Sequence, residues 1–139
     1  MLLKAYRLAP VYTAFIAYMS LGNNRAPSIA VENIDKVYHA AAYFIMSLLW
    51  YLFFYERFLK RHPDFKYTLV TILAGWNKTV ALGAAAITFI AGTILELGQG
   101  FFSVNRSMDF YDILANTCGI IVANLFLWVL SKKIKTDIP

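Results

Sequence analysis

The feature that most limits what this chain can become is a set of long apolar runs whose only acids stand near their ends. One run goes from Asp35 to about Leu59, one from about Thr79 to Phe102, and one from about Asp109 to Leu130. Each reaches the roughly 20 residues that an α-helix needs to cross the ~30 Å hydrocarbon layer of a bilayer. A fourth, Ala5 to Leu21, has 17 residues and sits at the short end for a span. Inside lipid the backbone must satisfy its own hydrogen bonds, which leaves helices as the economical solution for separate runs of this kind. The chain is therefore expected to be an all-α membrane protein, a four-transmembrane-helix bundle forming a single domain over residues 1–139. Composition agrees: 60% of residues are hydrophobic and only 15% charged, far from the average for soluble domains.

The connections are less regular. Asn23–Asn33 carries Asn, Pro and Ser and reads as an irregular loop. A signal peptide is the rival reading of the first run, with APSIA as the cleavage region, but Tyr6, Tyr12, Tyr18 and Pro10 make a poor signal core. Asn33 is a candidate cap for the second run, and Pro63 stops that run in the basic stretch ERFLKRHPDFK. Tyr67–Trp76 is apolar but only ten residues long, which predicts an interfacial or re-entrant segment. Gly83, Gly92, Gly119 and Ala123 supply small residues for close helix packing. The single cysteine, Cys118, lies in an apolar run and allows no disulfide within the chain.

Charge distribution orients the bundle. Four spans put Lys4, Arg7, Arg57, Lys60, Arg61, Lys66, Lys78, Lys132, Lys133 and Lys135 on one side, ten of the thirteen basic residues. The other side keeps Arg25, Lys36 and Arg106. The positive-inside rule then makes both termini cytoplasmic. The net charge of +5 is explained by this sorting and does not point to nucleic acid.

On that topology the start of the second span, the end of the third and the start of the fourth meet at the outer face. They bring Asp35, Lys36, His39, Tyr43, Glu96, Gln99, Arg106, Asp109, Asp112 and Asn116 into one polar patch. Helical spacing puts Asp35, His39 and Tyr43 on one face, Glu96 and Gln99 on another, and Asp109, Asp112 and Asn116 on a third. Charges at membrane depth are expensive unless paired or wet, so the patch is the expected functional site. The bland alternative is that the same groups cap helices, pair with Arg106 or Lys36, and lock the bundle.

The polar residues also resemble the VanZ-like family of small bacterial membrane proteins. The resemblance rests on D-K-x-x-H at Asp35, Lys36 and His39 with Tyr43 following, and on E-x-x-Q at Glu96 and Gln99. It continues with Arg106–Ser107 and with D-x-x-x-N-x-x-G at Asp112, Asn116 and Gly119, and covers roughly residues 34–130. A common family pattern has Pro-Gly before the arginine, where this chain has Val104–Asn105. The resemblance implies a multi-pass protein of the bacterial cytoplasmic membrane, and its family name links it to resistance to the glycopeptide teicoplanin.

Three classes of function follow. In the first, the patch recognises a polar lipid headgroup or a lipid-linked wall precursor in the outer leaflet, with Arg106 and Lys36 holding phosphate and the carboxylates and amides holding sugar or amine groups. In the second, an outer-face enzyme uses His39 or Glu96 as general base with Asp109 or Asp112 orienting it, so His39, Glu96 and Asp112 are the catalytic candidates. A His-plus-carboxylate divalent metal site belongs to this class, but HExxH, GxSxG and paired-histidine spacing are all absent. No metal and no cofactor are expected on that basis. In the third, the chain is an assembly subunit and the patch an internal lock. Membrane lipids are the expected partners, without nucleic acid.

Overall fold

The chain divides into helices where local chemistry starts and stops them. A computed structural model describes residues 8–22, 33–59, 61, 74–102 and 108–136, and these contain four α-helices and no strand. They are α1 (Leu8–Leu21), α2 (Ile34–Leu59), α3 (Lys78–Phe102) and α4 (Phe110–Thr136). Helix α3 opens on Asn77, whose side-chain oxygen accepts the backbone N–H groups of Thr79 (2.9 Å) and Val80 (3.1 Å), as an N-cap does. Asp109 does the same for α4, its Oδ1 accepting the Tyr111 N–H at 2.8 Å. Asn33, at the head of α2, has φ 62°, and its carbonyl accepts the Lys36 N–H. Asn tolerates that left-handed conformation better than most residues.

Three helices are long and apolar enough to cross a membrane, α2, α3 and α4. Helix α1 is shorter. Its 14 residues rise only about 21 Å, less than the hydrocarbon thickness. The outward surfaces are apolar: Leu82, Phe89, Ile90 and Ile94 on α3, and Ile121, Val122, Leu125, Phe126 and Val129 on α4, are all exposed. The inward stripes hold Thr88, Glu96 and Gln99 on α3, and Asp112, Asn116 and Ser131 on α4. That inversion suits a lipid environment, where apolar side chains face the solvent and polar ones must find partners inside.

Helix α2 makes its most extensive contact with α4, and its buried stripe is Tyr43, Met46, Ser47, Tyr51 and Tyr55. Their closest approach is at Gly119. A Cβ built there would lie 2.1 Å from the Ala40 carbonyl oxygen and 3.0 Å from the Phe44 nitrogen. Only glycine lets the two backbones meet. Gly92 makes room for the Tyr43 ring on α2, whereas Gly83 has no neighbour closer than 4.0 Å. Helix α1 runs beside α2 and α3, tied by Trp50 Nε1 donating to Thr13 Oγ1 (3.0 Å) and by Gln99 Nε2 donating to Ser20 Oγ (2.6 Å).

The two ends of the bundle differ in character. At one end Tyr51 and Tyr55 stack at 5.5 Å, the Tyr55 hydroxyl donates to the Gly75 carbonyl, and the Tyr51 hydroxyl accepts the Asn77 N–H. Ala74 and Trp76 pack here. The first seven residues of the expected interfacial segment Tyr67–Trp76 lie outside the described residues, as does most of the loop Asn23–Asn33. The opposite end is polar.

Candidate functional site

The polar end gathers side chains from all four helices. Lys36, in the first turn of α2, sets its charge balance. Its ammonium lies 2.6 Å from Asp109 Oδ2, 2.6 Å from Asp112 Oδ1 and 2.9 Å from Asp35 Oδ2. An ammonium has three N–H donors, and all three have a carboxylate here. Lys36 thus stitches the start of α2 to the start of α4, and an incoming phosphate would have to displace aspartates to reach it. Asp109 is doubly engaged, by Lys36 and by the Tyr111 N–H, and these two contacts hold its carboxyl below the usual aspartate range.

Deeper in, His39 is one turn below Lys36 and faces α3 and α4. Its Nδ1 lies 3.1 Å from Asn116 Oδ1 and 3.5 Å from Glu96 Oε1, and its Nε2 lies 3.7 Å from Asp112 Oδ2. Glu96 is 1% exposed and Asn116 3%. Glu96 was expected to pair with Arg106 or Lys36: the aspartates hold Lys36 and the ion-pair neighbour of Glu96 among the described residues is His39, while Arg106 lies outside the described residues. Two buried polar atoms here form no hydrogen bond, Glu96 Oε2 and Asn116 Nδ2. Such atoms are rare at membrane depth because each forfeits its solvation without return.

The other candidates take simpler parts. Gln99 is buried, but its amide nitrogen binds the carbonyl and hydroxyl of Ser20, so it fastens the end of α1. Tyr43 is buried with its ring under Gly92, one turn below His39. Asp35 is the most exposed of the described members and, among the described residues, meets the site through Lys36. Ser20 and Asn77 were not singled out by sequence reasoning; a polar residue before an apolar run signals the Asn77 cap, whereas nothing in the sequence points Ser20 at Gln99.

A few groups are thus poised for chemistry. The cluster offers an imidazole flanked by two carboxylates, an amide beside the Glu96 carboxylate, and a lysine already neutralised. Among the described residues it is richer in acceptors than in free donors.

With that geometry in view, comparison with known proteins adds one finding. A family sequence model described as VanZ/LLP1 matches residues 3–131 of the chain. No curated protein and no solved structure matches it.

Proposed function

The chain belongs to the VanZ/LLP1 family, and from that premise we propose that it is a multi-pass protein of the bacterial cytoplasmic membrane that recognises a polar headgroup. The ligand is an envelope lipid or a lipid-linked wall precursor in the outer leaflet. All four helices cross or enter the bilayer, the termini are cytoplasmic, and the polar end faces outward. The basic residues support this orientation, since Arg57, Arg61, Lys78, Lys132 and Lys133 belong to the opposite end. The link to teicoplanin susceptibility follows from the family, through altered handling of that headgroup.

One observation carries the reading: the unpartnered Glu96 Oε2 and Asn116 Nδ2 converge with His39 and Asp112. Neither atom has a hydrogen bond of normal geometry, although the Asn116 amide lies near enough to the Glu96 carboxylate to interact with it, and a sugar hydroxyl placed between them would serve both. Because Lys36 is held by three aspartates, hydroxyl or amine groups are the favoured contacts rather than phosphate on that lysine.

Native mass spectrometry of the purified protein tests the proposal. The wild type should retain a lipid that Glu96→Gln and Asp112→Asn lose while staying folded, and cells expressing those variants should lose any change in teicoplanin susceptibility. Retention of the same lipid by all variants would refute it. For orientation, with Cys118 replaced by Ala, Met108→Cys should react with an impermeant maleimide on intact cells and Arg61→Cys should not. The reverse pattern would turn the site inward.

The position of His39 between two carboxylates favours a second reading, an enzyme in which His39 acts as general base on water and Asp112 or Glu96 orients it. Release of a headgroup from lipid substrates by wild type and not by His39→Gln would establish it.

A further inference from the structure

We infer that His39, Glu96 and Asp112 form a binding site for one divalent transition-metal ion of the zinc class. Among the described residues these three are the only group of imidazole, thiol or carboxylate side chains close enough to share an ion, with one ligand atom from each lying within 4.8 Å of the others. Metal bonds of about 2.1 Å place neighbouring tetrahedral ligands about 3.4 Å apart. His39 Nδ1 lies 3.5 Å from Glu96 Oε1 and His39 Nε2 lies 3.7 Å from Asp112 Oδ2. The two carboxylates thus stand at different ring nitrogens, and the side chains must reorient to share one ion.

Three further observations favour a cation over a bare cluster. Glu96 Oε2 is buried without a hydrogen bond, and its carboxylate faces the imidazole. Asp112 binds Lys36 through Oδ1 and leaves Oδ2, the oxygen nearer His39, out of that ion pair. The described charges do not balance: Asp35, Glu96, Asp109 and Asp112 face Lys36 and one imidazole. Among the described residues Lys36 engages three of the carboxylates, and the deepest acid, Glu96, has the His39 imidazole as its ion-pair neighbour. A dication beside His39 would neutralise Glu96 where desolvation costs most.

The donor set selects the ion class. An imidazole nitrogen with two carboxylates suits zinc and its transition-metal neighbours, whereas magnesium prefers an all-oxygen octahedron. Three protein ligands leave a fourth tetrahedral position open. Within the headgroup reading, that position would accept a hydroxyl oxygen, with Asn116 Nδ2 donating alongside. This use of the ion rests on that reading. The ion site itself does not, and its measurement requires neither a lipid nor a teicoplanin phenotype.

The sequence already offered His39, Glu96 and Asp112 and a His-plus-carboxylate ion site, but the ligands come one each from α2, α3 and α4 and no spacing motif joins them, so no metal was expected.

The test uses tag-free protein in detergent, stripped with a chelator and dialysed against buffered Zn²⁺. Elemental analysis should find close to one zinc per chain in wild type and in Asp35→Asn, whose carboxylate is not a ligand. His39→Gln, Glu96→Gln and Asp112→Asn should each bind at least about tenfold more weakly, the order seen when a metal site loses key support. Melting temperatures of the metal-free variants separate a lost ligand from a lost fold: a variant that melts like metal-free wild type, yet lacks its zinc-dependent rise, confirms the assignment. Substituted Co²⁺ should give the intense visible bands of a four-coordinate site. Equal zinc uptake by wild type and all three ligand variants, no uptake by wild type, or displacement of zinc by equimolar Mg²⁺ would overturn the inference.

Discussion

The two ends of α2 are secured in opposite ways, and the difference separates scaffold from site. At the aromatic end, Tyr51 and Tyr55 stack, their hydroxyls meet backbone groups of Asn77 and Gly75, and Asn77 also caps α3. One buried atom there lacks a hydrogen bond, Trp76 Nε1, and no cluster of imidazole, thiol and carboxylate groups forms at this end among the described residues. At the polar end, Lys36 is saturated by three aspartates, yet one turn further in Glu96 and Asn116 keep unused atoms around His39. Aromatic packing and hydrogen bonds secure one end, where Glu56 is a buried acid. The other carries more charge than holding requires.

Helix packing between the two ends gives the largest expected effect. Gly119→Ala drives a methyl into the Ala40 carbonyl, a contact between backbones that no rotamer can relieve. The loss should reach or exceed the upper part of the ~1–3 kcal/mol typical of overpacking. Gly92→Ala meets only the Tyr43 ring, which can move, and should cost less. Gly83→Ala has room and should be neutral or stabilising by up to about 1 kcal/mol, as Ala replaces Gly in a helix. Equal melting temperatures for the Gly119 and Gly83 variants would remove the close α2–α4 contact from the account.

Lys36→Gln probes the polar end itself. It strands three carboxylates, and because the side chain is partly exposed the cost should be about 2 kcal/mol rather than the larger value of a fully buried pair. Adding Asp112→Asn should recover part of the loss. Strict additivity in the double mutant would mean that the two side chains do not interact. Tyr55→Phe is the counterpart at the aromatic end, removing one hydrogen bond for about 1 kcal/mol. A larger loss there than for Lys36→Gln would erase the contrast between the ends.

The smallest effect concerns acid. Asp109 titrates below its ordinary value of 3.8 because Lys36, and then the Tyr111 N–H, favour the charged form. Its contribution is therefore complete above that ordinary value and is lost as pH falls through the lowered one. Asp109→Asn keeps a capping side chain but loses the charge. Its melting temperature should decline less steeply with acid than that of wild type. Parallel pH profiles would show that the Lys36 contact adds nothing.

Much of this architecture was legible in the sequence, because long apolar runs leave a chain few choices. The runs from Asp35, Thr79 and Asp109 became helices within a residue or two of their expected starts. Their ends were harder to read. Helix α4 continues past Leu130 through Lys132 and Lys133, and the Lys132 ammonium sits 3.9 Å over the Trp128 ring, so charge does not end the helix where hydropathy falls. Helical spacing put Asp109, Asp112, Asn116, Gly119 and Ala123 on one face; the last four form a buried stripe, whereas Asp109 precedes the helix and is partly exposed. Partnerships were not legible. Whether Lys36 meets Glu96 or the aspartates depends on relative depth: Lys36 and Asp112 both lie in first turns, whereas Glu96 sits nearly two turns inside α3. Gln99 likewise went to Ser20, on a helix whose rotation no pattern in the chain announces.

The central claim is that the deep polar groups are kept for a ligand and not for the fold, and Glu96→Gln in chelator-treated protein tests it most directly. The amide keeps the shape of the carboxylate and removes a buried charge whose second oxygen has no hydrogen bond. Sites of this kind trade stability for function. The metal-free variant should therefore melt at or above the temperature of metal-free wild type. A fall as large as that of Lys36→Gln would show that Glu96 holds the bundle together, and would contradict the claim.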